Sequence, residues 1–150
     1  AYELGEAEEK KANERADDIL KKRATAARME RNKIILDAKR KAVDRVYELL
    51  LDGLKKLSED EFVNLVSIAV EKYGEDGQKI LLSASAPAKK EKIESLAAVK
   101  NKSMIVETTD GLRDGFAISG EIFDRDFSYA SIVESCRERT ENEVAARLLR

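Results

Sequence analysis

The chain has 150 residues, 28 of them basic and 30 acidic, and 39% of it is Asp, Glu, Lys or Arg, against ~25% in an average globular protein. With no histidine, one cysteine and no tryptophan, it lacks the commonest general base and metal ligand and cannot form an internal disulfide. No apolar run approaches the ~18 residues that span a bilayer and no signal-peptide pattern is present, so the chain reads as soluble and cytoplasmic; beginning at Ala1, it fits a fragment or a processed form.

The first element is a long helix. The single proline is Pro87, and between Gly5 and Gly53 nothing interrupts a helix for about 47 residues. Extended to Leu57, such a helix measures roughly 80 Å, far longer than a core helix needs. Its apolar residues say what it packs against. Ala16, Ala27, Ala38 and Leu49 recur every eleven residues, as do Ala24, Ile35, Val46 and Leu57. That period corresponds to ~3.67 residues per turn and implies a right-handed supercoil. Alanine seams bury little area, so the arm requires a partner helix, met at Ala16, Ala24, Ala27, Ile35, Ala38, Val46 and Leu49. A third ladder, Leu20, Arg31, Ala42 and Gly53, is broken by Arg31, which makes the seam narrow and partly polar.

Charge along the arm is uneven. Residues 1–18 hold seven acids and three bases, whereas residues 21–45 hold ten bases and three acids. A basic run of this kind suits nucleic acid or an anionic membrane. It equally suits a solvated face matched to an acidic stretch of a partner. No aromatic residue interleaves the run and no recognised nucleic-acid module surrounds it, which favours the second reading.

From Ser58 the pattern becomes that of a compact head. Ser58 and Glu61 form a capping box, and Phe62, Leu65, Val66, Ala69, Val70 and Tyr73 share one helical face ending at Gly74. Gly77 closes a turn, and "KILLS" at 79–83 reads as a buried strand. Pro87 opens a helix with Ile93, Leu96, Ala97 and Val99 inward. "SMIVE" at 103–107 is a second strand, Asp110 and Gly111 supply a turn, and "GFAIS" at 115–119 is a third strand. Gly120 and Glu121 fit a further turn, with "EIFD" at 121–124 as a short fourth strand. Asp126 or Ser128 caps a last helix whose apolar positions run from Tyr129 through Ile132, Val133, Cys136, Thr140 and Val144 to Leu148.

The expectation is an α+β chain: a coiled-coil arm at 1–57, and a mixed α/β head at 58–150 with about four short strands and three helices. The chemical readings of the head each have a plainer rival. Gly115 and Gly120 have phosphate-loop spacing, but Glu121 and Ile122 stand where Lys and a hydroxyl are required. Asp110, Asp114, Asp124 and Asp126 lack calcium-loop spacing and serve turns and caps. Cys136, on an apolar helix face and with no histidine to assist it, reads as a small hydrophobe. Neither a catalytic residue, a cofactor nor a metal is expected.

The charged arm, the "LSEDEF" junction at 57–62, the Gly-Phe strand with its hairpin, "DFSYASIVES" at 126–135 and the terminal amphipathic helix resemble the E-type peripheral-stalk protein of the V-type and A-type ATPases over residues 28–150. The resemblance implies a non-catalytic stator. Its helix would pair as a heterodimer with the helix of the G-type stalk protein, and its head would hold the nucleotide-binding hexamer against rotor torque during ATP synthesis or ATP-driven proton or sodium transport. Membrane association would then be indirect, through the assembled complex. Gly115 and Phe116 match the family's strand start, and Asp126, Ser128 and Tyr129 its cap and first helical aromatic. The chain departs in having Asp114 where a second glycine is common, and Arg150 near where Leu-Phe often ends the family. Family members also extend further at the N-terminus. Head docking is expected at the hairpin, through Glu121 and Arg125. The rival readings are a stator-like regulator of a flagellar export ATPase and a basic helical nucleic-acid-binding protein.

Overall fold

A computed structural model describes residues 2–148; Ala1, Leu149 and Arg150 lie outside the described residues. Helix α1 (Tyr2–Lys55) is unbroken over 54 residues, consistent with the absence of proline and a high content of Ala, Glu, Lys and Arg. Residues 3–42 are exposed throughout, and burial begins at Val43 and Tyr47. From there Leu51, Leu54 and Leu57 turn onto the core of the head.

Helix α2 (Glu59–Tyr73) opens with the expected capping box: the Glu61 N–H donates to Ser58 Oγ and the Ser58 N–H to Glu61 Oε1, both at 3.2 Å. Phe62, Val66, Ala69 and Val70 form its buried stripe. Its C-terminus is tied by Lys102, whose Nζ donates to the carbonyls of Val70 (2.8 Å), Glu71 (3.1 Å) and Gly74 (2.8 Å). A cation on the last carbonyls of a helix satisfies orphan acceptors and opposes the negative end of the macrodipole.

Four strands follow: β1 (Lys79–Ser83), β2 (Ile105–Thr109), β3 (Phe116–Ser119) and β4 (Asp124–Phe127), in the order β2-β1-β3-β4. β1 and β2 are parallel, joined by a crossover through α3 (Lys90–Glu94) and α4 (Ala97–Asn101); β1–β3 and β3–β4 are antiparallel. Paired residues share a face, so Val106, Ile80 and Ile118, then Leu82, Phe116 and Phe127, line the side that α2 covers. Phe62 meets Phe116 edge-on at 6.1 Å, and Phe116 stacks on Phe127 at 4.9 Å. The opposite face is more polar, with Lys79 paired to Glu107 at 3.2 Å and the Ser119 hydroxyl donating to Asp124 at 2.9 Å.

Helix α5 (Tyr129–Leu148) leaves the core at Tyr129 and Ile132 and runs back along α1. The pair is antiparallel, because α1 enters the core at Leu54 and Leu57 while Tyr47 and Thr140 meet further out, their hydroxyls 2.8 Å apart.

Several expectations need correction. The segment after Pro87 is two short helices, because Leu96 adopts an extended backbone (φ −65°, ψ 135°) between them. Ala98, not Ala97, then points inward with Ile93 and Val99, and among the described residues the head has four helices where about three were expected. Strand β2 begins at Ile105, since Ser103 turns the chain with φ 49°. The fourth strand is Asp124–Phe127, not 121–124: the Gly120 N–H reaches the Phe123 carbonyl at 3.2 Å and closes a loop over 120–123, which aligns Phe127 with Phe116. Capping of α5 is shared. Asp114 Oδ1 accepts from the Tyr129 N–H at 2.8 Å, while Asp126 accepts from the Ser128 N–H (2.8 Å) and the Ser131 hydroxyl (2.9 Å).

Candidate docking site

Two surfaces carry the residues singled out in the sequence, and they lie on separate parts of the molecule. The first is the arm. Ala16, Ala24, Ala27, Ile35 and Ala38 are all exposed, Val46 is half-buried, and Leu49 is 54% exposed. Helix α5 occupies a different side of α1. At about 100° per residue, Tyr47 points roughly 160° away from Leu49, so the face that buries Val43 and Tyr47 against α5 leaves the alanine seam open up to Leu49. Leu20 lies within this seam at 62% exposure and Ile34 flanks it at 60%.

The junction between arm and head is held by polar groups as well as by leucines. Arg137 of α5 donates to Asp44 of α1 at 2.6 Å and to Glu141 at 3.1 Å, and its guanidinium lies 5.1 Å from the Tyr47 ring centre. The hydrogen bonds to Asp44 and then Glu141 hold the guanidinium pKa above its ordinary value. This clamp fixes where the arm leaves the head. No sequence pattern signals it, because its members are 93 residues apart.

The second surface is the β3–β4 hairpin. Glu121 and Arg125 are both exposed, but they differ in setting. Glu121 sits on the tip and makes no ion pair or hydrogen bond among the described residues. Arg125 lies on the helix-facing side of edge strand β4, its guanidinium 4.8 Å from the Tyr73 ring centre and 5.4 Å from that of Phe123. It is therefore a stacked packing element and not a free rim charge. Beside it, Ile122 and Phe123 are 92% and 61% exposed. The tip borders an open groove of about 580 Å³ that runs from Tyr73 and Gln78 to Gly120 and Arg125. Apolar character alone places Ile122 and Phe123 in a strand, where one of the two would face inward, and this masks their exposure on the tip.

The hairpin is rooted by a compact network. Gly115 has φ +69°, and a Cβ there would come within 2.3 Å of the Phe127 carbonyl. Burial of the Asp126 carboxyl raises its pKa, but hydrogen bonds from the Ser128 N–H and the Ser131 and Ser128 hydroxyls outweigh that and leave it below the usual value. Burial, and then the charge of Asp114, push the Tyr129 hydroxyl upward. These groups orient the start of α5 against the hairpin. They are capping devices for α5.

Gly115 and Gly120 serve β3 and its turn. Cys136 is half-buried near Thr140, 3.8 Å from its hydroxyl. Among the described residues, no three His, Cys, Asp or Glu side chains gather as metal ligands do, and no helix is long and apolar enough to cross a membrane. No protein-family model, curated protein or solved structure matches this chain.

Proposed function

We propose that the chain is a peripheral-stalk component of a V-type or A-type rotary ATPase, a non-catalytic stator of the E type that pairs with a G-type stalk helix and anchors the nucleotide-binding hexamer. The observation that carries this reading is the arm: a single helix of 54 residues, exposed over 3–42, bearing eleven-residue apolar ladders whose members up to Ala42 are exposed. A helix roughly 80 Å long with a thin seam does not fold a core. It spans a distance and pairs with another helix. The clamp of Asp44, Tyr47 and Arg137 supports the mechanical side of the role, since a stator must pass load from arm to head without a loose joint. The apolar hairpin tip offers the head a surface for a large partner.

The reading is tested by mixing the chain with the G-type stalk protein of a rotary ATPase from the same source. It predicts a stable 1:1 complex with more helix than the sum of its components, and the absence of a complex, with unchanged circular dichroism, contradicts it.

A further inference from the structure

The open face of α1 carries a charge pattern that discriminates among helical partners. Glu6, Asp17, Arg28 and Lys39 are spaced by eleven, so they form one row beside the alanine seam and read acid, acid, base, base along the arm. Within the seam, the middle ladder places Arg31 between Leu20 and Ala42. All of these positions are exposed, and no ion pair engages Arg28, Arg31 or Lys39 among the described residues. A guanidinium in an apolar seam loses water when a partner docks. It then needs a carboxylate opposite, and such a polar pair selects register and partner at some cost in stability.

A second copy of this chain does not meet the requirement. In parallel, the ten bases and three acids of residues 21–45 would face the same run. An antiparallel copy lays the acidic end of one arm on the basic end of the other. Yet the register that matches the ladders, with Ala16 against Ile35 and Ala24 against Ala27, also brings Arg23 and Arg28 of both copies together at the crossing and puts Arg31 against Leu20. Like charges brought together in this way oppose pairing.

We infer that the face is built for a helix of a different chain that is acidic along the stretch lying against residues 21–45 and carries a carboxylate in its own seam at the level of Arg31. This deepens the stator reading and rests on it for the existence of a helical partner, while the sign of that partner's charge comes from this chain alone. Three dye-labelled model helices test it against the full chain. They share one alanine and leucine seam of eleven-residue period and differ only at the seam-flanking positions, which are all Glu, all Gln or all Lys. Fluorescence anisotropy at about 50 mM salt should show the Glu helix binding at least roughly tenfold more tightly than the Gln helix, and the Lys helix not binding. At about 500 mM salt the preference should shrink several-fold, because the Debye length falls well below ~10 Å. A Glu in the probe seam should be tolerated by the parent and rejected by Arg31→Leu, an exposed substitution whose helicity is checked by circular dichroism. Equal binding of the Gln and Glu helices overturns the charge assignment and leaves pairing intact. A chain that sediments as a tight homodimer at micromolar concentration overturns it in favour of a second copy. Failure of all three helices to bind overturns it together with the two-chain reading.

Discussion

Gly115 shows how one residue roots the hairpin. Its positive φ and the 2.3 Å approach of a Cβ to the Phe127 carbonyl leave room for hydrogen alone. Gly115→Ala should cost about 2 to 4 kcal/mol, from left-handed backbone strain plus overpacking, read as a lower denaturation midpoint with an unchanged m value. Lys102 works at the other end of the core, where one ammonium joins three carbonyls at the end of α2. Lys102→Met keeps the stem and removes the donors, and should destabilise the head by about 1 to 3 kcal/mol. Carboxylates set the acid limit. Asp126 and Glu61 both have folded pKa values held below the ordinary ones, Glu61 by the Ser58 hydroxyl and then the Ser58 N–H. Their contributions are therefore complete above the unfolded carboxylate range of about pH 4 and are lost as pH falls through the lower folded values. Urea melts should thus change little between about pH 5 and 8, then weaken below about pH 4, with a shallower decline in Asp126→Asn. The Ser58 box was legible because its motif is local and contiguous. The roles of Lys102 and Asp114 were not, since each acts on a backbone group that folding brings from another element. Asp114, where the resembled family commonly has glycine, has a direct use here as acceptor for the first amide of α5.

At the level of elements, the periodic ones were readable and the short ones were not. The arm, α2, β1 and α5 follow apolar spacing over many residues. The segment from Pro87 to Asn101 divides at Leu96, a break that neither glycine nor proline marks, and the hairpin loop took in two apolar residues that resemble strand. Length alone did not reveal that α1 belongs partly to the head. Its last turns bury Val43 and Tyr47 against α5, whereas residues 3–42 have only their own helix to hold them. An isolated helix of thin seams frays, so amides in 3–42 of the free chain should exchange with solvent much faster than those in 43–55. Arg137→Gln, which removes the charge between Asp44 and Glu141, should extend fast exchange into residues 43–50 and leave the β-strands unchanged. A spread of the change into β1 and β3 would mean that the clamp holds the head itself and not the arm.

In the molecule as a whole, a long exposed helix is joined to a small α/β head, and the stator proposal assigns pairing to the first and docking to the second. On that proposal, Glu121→Lys at the hairpin tip should leave the melting temperature within about 2 °C of the parent, as exposed substitutions do, and reduce association with the nucleotide-binding subunits of a rotary ATPase. Arg125→Ala should lower both, because its guanidinium covers Tyr73 and Phe123. Ile122→Ser with Phe123→Ser, both on the exposed tip, should abolish head binding while the fold persists; normal binding by that pair would move the docking surface to the outer face of α5. We propose that this chain supplies one of the two paired helices of a stator in a rotary ATPase. The most direct test is native mass spectrometry of the assembly isolated under mild detergent through a tag on this chain. The stator reading predicts a complex in which the chain is matched one to one with a second, acidic helical protein and attached to a hexamer of nucleotide-binding subunits. Recovery of the chain as a monomer, as a homodimer or on nucleic acid, with no nucleotide-binding subunits present, would contradict it.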